Sequence, residues 1–190
     1  MSFSLLREAW KLAGRAHARQ KYLMDGTNVS YLAHVGNVAS LAKEGCLRDA
    51  RGDPQVAEFV GILHDVVEDG DIENIRALIR EIFGNKVLEC VLAVTKKPEL
   101  RGRAASDEAL SRIMDAPVEA GIVKLADRAC NIGGLPREGW TAAKIADYLD
   151  ESEHILRCLG GHSPTLAGLL DERIRVWQQR GENHAGERKP

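Results

Sequence analysis

The chain has 190 residues, of which 44% are hydrophobic, 28% are charged and only 5% are aromatic, and its formal net charge at pH 7 is −2. This composition indicates one soluble globular domain with a mainly aliphatic core. It excludes nucleic-acid binding through bulk positive charge. The N-terminus has no secretory signal, and no segment approaches the roughly 20 apolar residues that cross a bilayer. We therefore expect a cytoplasmic protein without a membrane or nucleic-acid partner, and the sequence is compatible with a homo-oligomer.

Apolar residues recur at three- to four-residue spacing along most of the chain, which predicts amphipathic helices. In chain order, the predicted helices run from Leu5 to Ala16, Tyr31 to Gly45, Pro54 to Val67, Ile72 to Ile82, Val87 to Val94, Leu110 to Met114, Val118 to Cys130, Thr141 to Leu159 and Pro164 to Gln179. Asp53 and Asp71 are the expected N-caps of the third and fourth helices, and Gly70 closes the third.

Two longer connections are predicted as loops, Lys21 to Ser30 and the basic segment Thr95 to Ala105. No alternating strand pattern is visible. We expect an all-α fold in which residues 1–180 form a single domain of roughly eight to ten helices. Residues 181–190 are expected to form a polar, unordered tail. The four cysteines lie far apart without a C-x-x-C pair, which predicts reduced thiols.

A His-Asp pair, His64-Asp65, stands at the end of the apolar third helix, where buried charge must be paired or bound to a metal. His34 and Asp127 lie in two other apolar segments and complete a set of two imidazoles and two carboxylates. The side chains of adjacent residues on a helix point about 100° apart. His64 and Asp65 can therefore both contact one ion only if the helix passes tangentially beside the ion or is locally distorted. Such a nitrogen and oxygen set suits manganese, iron or zinc better than calcium, and predicts metal-assisted hydrolysis.

Carboxylates also follow the His-Asp pair closely. Glu68 and Asp69 each lie four residues after a candidate ligand and share a helix face with it. One of them is a candidate to orient or deprotonate an attacking water.

Basic residues near the candidate site have two interpretations each. Lys124, three residues before Asp127, is either an ion-pair partner of a site carboxylate or a phosphate contact. The loop cations are either a solvated surface or a grip for a polyphosphate; they are Lys96, Lys97, Arg101 and Arg103.

The motifs HDVVED and KLADRxxN, together with AHARQ, SYLAHVGNVA and FGNKVLECVLAVTKK, resemble the HD superfamily of metal-dependent phosphohydrolases. More narrowly, they resemble the hydrolase domains of RelA/SpoT-type alarmone enzymes and the stand-alone small alarmone hydrolases. The similarity extends from about Ala9 to about Leu135. It implies an all-α HD-domain and the removal of the 3′-pyrophosphate from guanosine tetra- and pentaphosphate, (p)ppGpp, giving GDP or GTP. A chain of 190 residues has no room for a synthetase domain, so a stand-alone hydrolase is expected.

The resemblance also implies roles for particular residues. One ion, commonly Mn²⁺, would be held by His34, His64, Asp65 and Asp127. Glu68 and Asp69 would be the acid/base and water-positioning pair, and Tyr31 and Asn131 would line the nucleotide pocket.

The sequence departs from the family in the loop before Tyr31. The family has a basic run there and a proline after the first ligand histidine, whereas this chain has QKYLMDGTNVSYLAHVG, with Val35 in place of the proline. Lys21 or Arg19 is the candidate substitute for the basic run. Two alternatives follow: an HD-domain phosphohydrolase acting on another nucleotide or phosphate ester, such as an adenine alarmone or NADPH, and a non-catalytic nucleotide-binding module.

Overall fold

The computed structural model describes the backbone of residues 2–24, 27–69, 72–100, 102–137 and 139–186, and the side chains of residues 3–20, 29–68, 72–100, 102–137 and 139–180. The predicted all-α class is confirmed, with one short hairpin added. The elements are α1 (Ser2–Ala16), β1 (Lys21–Met24), β2 (Thr27–Ser30), α2 (Leu32–Asp49), α3 (Pro54–Leu63), α4 (Val66–Asp69), α5 (Ile75–Phe83), α6 (Asn85–Val94), α7 (Gly102–Asp115), α8 (Val118–Gly133), α9 (Ala142–Leu159), a 3₁₀ turn (Gly160–His162) and α10 (Pro164–Gly186). None of the helices among these residues combines the length and the apolar character that crossing a bilayer requires.

The segment predicted as the first loop forms a hairpin. β1 and β2 pair antiparallel, with Lys21 opposite Ser30 and Met24 opposite Thr27. Two strands of four residues carry too short an alternation to be distinguished from a loop by pattern. The backbone N–H of Tyr31 donates to the carbonyl of Gln20 at 3.5 Å, which closes the base of the hairpin where α2 begins.

The predicted start of α3 is confirmed. The Asp53 side chain accepts hydrogen bonds from the backbone N–H groups of Gln55 and Val56, as an N-cap does. A fully buried carboxylate of α8 fixes the same point, because Glu119 accepts from the Asp53 N–H at 2.6 Å and from Lys86 of α6 at 2.7 Å. The start of α3 is therefore tied to both α6 and α8.

Several predicted helix boundaries are wrong. α2 continues through Gly45, where an added Cβ would lie 2.9 Å from Leu166 of α10, so this glycine allows close packing and does not end the helix. α5 has Asn74 as its N-cap, and not Asp71, which lies outside the described residues. α7 begins within the predicted basic loop. α10 also runs past the expected boundary at residue 180, and the division into domain and tail stays a prediction.

Helices α2, α3 and α8 pack on one another at the centre of the core. α2 and α3 approach each other at Gly61, where an added Cβ would lie only 2.6 Å from the Cα of Ala39. Val38, Val60 and Leu125 are fully buried around this contact. The three segments that carry the predicted metal ligands are thus held by a rigid apolar centre.

The cysteines are free thiols, as predicted. Cys46, Cys90 and Cys130 are buried and Cys158 is half-buried. Burial raises the pKa of Cys46 to about 11 and the pKa values of Cys90 and Cys130 to about 12, so these thiols stay protonated at neutral pH.

Candidate metal centre

The helix predicted to run from Pro54 to Val67 is broken at the His-Asp pair. α3 ends at Leu63 and α4 begins at Val66, so His64 and Asp65 occupy a turn between them. The prediction of one continuous helix is therefore wrong, and the locally distorted alternative describes the chain. The break lets two adjacent side chains face one point: possible ligand atoms of His34, His64 and Asp65 all lie within 4.8 Å of one another.

Asp127 of α8 joins this cluster. Its Oδ1 lies 3.3 Å from Nε2 of His34 and 4.0 Å from Nε2 of His64, while Nε2 of His64 lies 2.9 Å from Oδ2 of Asp65. Ligand atoms about 2.1 Å from one ion are separated by about 3 Å at right angles and by about 4 Å on opposite sides. The structure therefore brings His34, His64 and Asp65 together at separations that suit a single divalent cation, and it places Asp127 beside both histidines.

The imidazole of His64 is oriented by its own helix. Its Nδ1 donates to the carbonyl of Gly61 at 2.8 Å, which leaves Nε2 directed at the carboxylates. This Nε2 is buried and makes no aligned hydrogen bond with any described residue, although Asp65 lies in contact with it. A histidine held by one ring nitrogen with the other facing carboxylates is the usual arrangement of a metal ligand.

The carboxylates of the cluster have polar partners of their own. The hydroxyl of Tyr31 donates to Oδ2 of Asp65, and the amide of Asn131 donates to Oδ1 of Asp127 at 2.6 Å. Nζ of Lys124 lies 3.2 Å from Oδ2 of Asp127, which is the ion-pair contact that was one of the two predicted for this lysine. These contacts hold the carboxylates in the orientation that an ion would need.

The buried charges of the cluster shift the pKa values of its own side chains. Burial by itself lowers the pKa of His64, but the adjacent carboxylates of Asp65 and Asp127 outweigh it and raise that pKa to about 9. Burial opposes ionisation of both carboxyl groups as well. Nonetheless His64 and the Tyr31 hydroxyl hold the pKa of Asp65 far below its ordinary value, and Lys124 with the two histidines does the same for Asp127. The cluster therefore binds a proton tightly in a place where a divalent cation can replace it.

Glu68 lies on α4, the helix that begins directly after the His-Asp pair. It is exposed on α4, and its Oε2 accepts from the backbone N–H of Lys96 at 3.2 Å. The side chain of Asp69, at the end of α4, lies outside the described residues, as does the side chain of Lys21 at the start of β1.

Three further residues support the cluster without having been predicted to do so. Arg137 donates to the side-chain oxygen of Asn131. The ring of His17 is buried 4.9 Å from that of Tyr31. Arg128, buried beside Asp127, lies 4.2 Å over a tyrosine ring of α9. Arg128 has a signal in the sequence through its place inside KLADRxxN, and His17 through its place inside AHARQ. Arg137 has none, because it follows the end of α8, where helical spacing no longer applies.

The helical fold and the clustered His, His, Asp and Asp side chains are features of a class of proteins, and the sequence comparisons identify that class. The profile of the HD domain family matches residues 9–166, and the chain belongs to this family. The chain is 27% identical over 184 residues to the guanosine-3′,5′-bis(diphosphate) 3′-pyrophosphohydrolase MESH1 of Danio rerio, covering 95% of this chain and 96% of that protein. It is also 33% identical over 139 residues to a probable guanosine-3′,5′-bis(diphosphate) 3′-pyrophosphohydrolase of Synechocystis, covering 69% of this chain and 17% of that protein.

A solved structure has the same fold. This structure is of "a metazoan ortholog of SpoT" that "hydrolyzes ppGpp and plays a role in starvation responses". The present chain superposes on it with a TM-score of 0.78 and is 25% identical to it in sequence. The match covers 94% of this chain and 96% of that one.

Proposed function

We propose that the chain is a metal-dependent 3′-pyrophosphohydrolase of (p)ppGpp that releases pyrophosphate and leaves GDP or GTP. One observation carries the proposal: possible ligand atoms of His34, His64 and Asp65 converge at one point, with Asp127 beside the two histidines, in a chain that is similar over 95% of its length to a protein named for this activity. The cytoplasm and a nucleotide-based starvation response are the proposed setting.

We propose Mn²⁺ as the ion, with His34, His64, Asp65 and Asp127 holding it. Two imidazole nitrogens and carboxylate oxygens form a donor set that suits manganese, iron or zinc. When bound, such an ion lowers the pKa of a water molecule and polarises a phosphoryl oxygen.

Glu68 is the proposed general base. One of its carboxylate oxygens is fixed by the Lys96 N–H, and the other makes no hydrogen bond with a described residue. That second oxygen accepts the proton of the attacking water. The water oxygen bonds to the phosphorus attached to the ribose 3′-oxygen, the bond between this phosphorus and the 3′-oxygen breaks, and the 3′-oxygen takes up a proton. Asp69 is the proposed donor of that proton, and pyrophosphate leaves.

Tyr31, Lys21, Lys124 and Asn131 are the proposed substrate contacts. Three of them, all but Lys21, already contact a cluster carboxylate, so we propose that they orient the ligands and border the nucleotide at the same time. This double use predicts that their substitution alters both metal affinity and substrate affinity.

The test is a product screen with the purified, Mn²⁺-loaded protein. The substrates are ppGpp, pppApp, NADPH, nucleoside monophosphates and a chromogenic phosphate ester. The proposal expects one pyrophosphate and one GDP for each ppGpp consumed. Turnover of monophosphates alone, or of NADPH alone, would replace this substrate with another, and binding of ppGpp without products would favour a non-catalytic module.

Two variants separate metal binding from chemistry. Asp65→Ala is expected to abolish both metal binding and turnover. Glu68→Ala is expected to keep a full complement of metal and to lose about 10²- to 10⁴-fold in kcat, the usual contribution of a general base. Glu81→Ala, which removes an exposed carboxylate from α5, is the matched control. Full activity of Glu68→Ala would remove Glu68 from the mechanism.

A further inference from the structure

A cavity of about 480 Å³ opens beside Glu68, on the side of α4 that leads towards the loop between α6 and α7. Its lining brings together three cations from separate segments, Arg76 of α5 and the loop residues Lys96 and Lys97, with Glu151 of α9 at another side. The volume lies within the range of about 300–1,000 Å³ that is usual for small-molecule sites. None of the proposed metal ligands is among the described residues that line this cavity, although Val67 and Glu68 of the lining follow His64 and Asp65 closely in the chain.

The charges around this cavity are not equally engaged. Nζ of Lys97 lies 2.6 Å from a carboxylate oxygen of Glu108, and Glu151 forms an ion pair with Arg128 at 3.2 Å. These two lining charges therefore already have partners of opposite sign.

Arg76 and Lys96 differ from them. Among the residues whose side chains are described, neither forms an ion pair or a side-chain hydrogen bond, and both are exposed to solvent. A guanidinium offers a planar fork of donors that matches two phosphate oxygens, and an ammonium offers a compact point charge. Two such groups in the lining of one cavity outnumber Glu68, the lining carboxylate that has no cationic side-chain partner in the described part, and this excess of positive charge favours an anion with more than one charge.

We infer that this cavity is a diphosphate-binding subsite, in which Arg76 and Lys96 bind the phosphate oxygens. The assignment of that diphosphate to a nucleotide substrate rests on the proposed function. Its position next to Glu68 fits either the 3′-diphosphate that leaves as pyrophosphate or the 5′-diphosphate of the same nucleotide. Both have the same chemistry, and two probes distinguish them.

The experiment measures binding of inorganic pyrophosphate and of GDP by calorimetry, with the Mn²⁺-loaded protein at a fixed concentration of free Mn²⁺. Arg76→Ala and Lys96→Ala are each expected to weaken binding of one probe about tenfold, the loss of one charge-assisted contact. Arg76→Lys keeps the charge and is expected to recover part of the loss. Arg80→Ala removes an exposed cation from the same helix outside the cavity lining, and is expected to change binding less than twofold.

Weaker binding of pyrophosphate assigns the subsite to the 3′-diphosphate, and weaker binding of GDP alone assigns it to the 5′-diphosphate. Wild-type affinity of both variants for both probes would overturn the inference, as would an equal loss in Arg80→Ala, which would indicate only a general effect of net charge. The outcome is separable from the proposed function. A protein that binds pyrophosphate through Arg76 but does not hydrolyse ppGpp keeps the subsite and loses the activity.

Discussion

Uptake of the metal ion is expected to displace a proton from His64. In the metal-free protein the carboxylates of Asp65 and Asp127 raise the pKa of this buried imidazole to about 9. At pH 7 about 99% of the molecules then carry the proton, whereas a metal ligand must be a neutral imidazole. Each bound ion is therefore expected to release close to one proton at pH 7.

The size of the effect follows from the same value. The apparent affinity for Mn²⁺ is expected to rise about tenfold per pH unit between pH 6 and 8, because each unit makes the neutral form about ten times more abundant. At pH 7 the affinity is about 100-fold weaker than its limit above the pKa of about 9. A histidine with the ordinary pKa of about 6.5 would weaken it less than twofold at pH 7.

The same groups determine how the stability of the metal-free protein depends on pH. The raised pKa of His64 contributes stability that is complete below about pH 6.5 and is lost as the pH rises through about 9; the difference corresponds to about 3 kcal/mol. Asp65 and Asp127, whose pKa values are lowered, contribute stability that is present above about pH 4 and is lost as the pH falls. For these three groups, the metal-free protein is therefore most stable between about pH 4 and 6.5.

The assay is calorimetric titration with Mn²⁺ at pH 7 in two buffers of different ionisation enthalpy, which counts the protons released. His154→Gln is the control, since this histidine pairs with Asp107 away from the cluster and its loss should leave the proton count unchanged. Absence of proton release, together with an affinity that does not change between pH 6.5 and 8, would show that the imidazole of His64 is neutral in the metal-free protein and would refute the reasoning.

Three other substitutions test the packing and the polar contacts of the site. Asn131→Ala removes the 2.6 Å hydrogen bond to Asp127 and is expected to weaken Mn²⁺ binding about 10- to 100-fold without changing the fold. Metal titration measures the affinity, and circular dichroism checks the fold. Unchanged affinity would contradict the orienting role of Asn131. Gly61→Ala places a methyl group 2.6 Å from the backbone of Ala39, so α2 and α3 must separate. We expect this to lower the free energy of unfolding, measured by urea denaturation, by about 1–3 kcal/mol and to weaken metal binding. Wild-type stability would contradict the close contact. Glu119→Ala removes the buried acceptor at the start of α3 and is expected to lower the free energy of unfolding, measured by thermal or urea unfolding, by about 1–3 kcal/mol. Glu89→Ala, which removes an exposed carboxylate, is the control. An equal loss of stability in both variants would show that the buried acceptor does not stabilise the fold.

Local patterns in the sequence were sufficient to predict most of the helices. Apolar spacing and the Asp53-Pro54 signal placed the start of α3 correctly, because these signals act within a few residues of one another. The hairpin before Tyr31 and the break at His64 were not predicted as such. The two strands are too short for their alternation to be recognised. The break lies within a run whose apolar spacing continues through Val66 and Val67, and Asp65 at the break contacts the distant Tyr31.

The ligand set was predicted from residue types, and the contacts around it were not. A single histidine in an apolar helix is more often an ordinary core residue, but a set of two imidazoles and two carboxylates in apolar segments must be paired or bound to a metal, so their convergence could be anticipated. The partner of Lys124 was left open between two choices, since an ion pair and a phosphate contact need the same residue. Arg76 carried no signal, because a cation on the polar face of an amphipathic helix resembles any solvated side chain until the fold places it beside Glu68.

Gly61 constrains how this protein can change over time. One residue sets the spacing of two core helices through its missing side chain and aims an imidazole through its backbone carbonyl. A substitution at Gly61 alters the packing of α2 against α3 and also disturbs the orientation of the His64 imidazole. Selection therefore acts on the core and on the site through one residue. Adjustment of metal preference is easier to reach through Tyr31 and Asn131, whose side chains can be exchanged while the helix spacing is left intact.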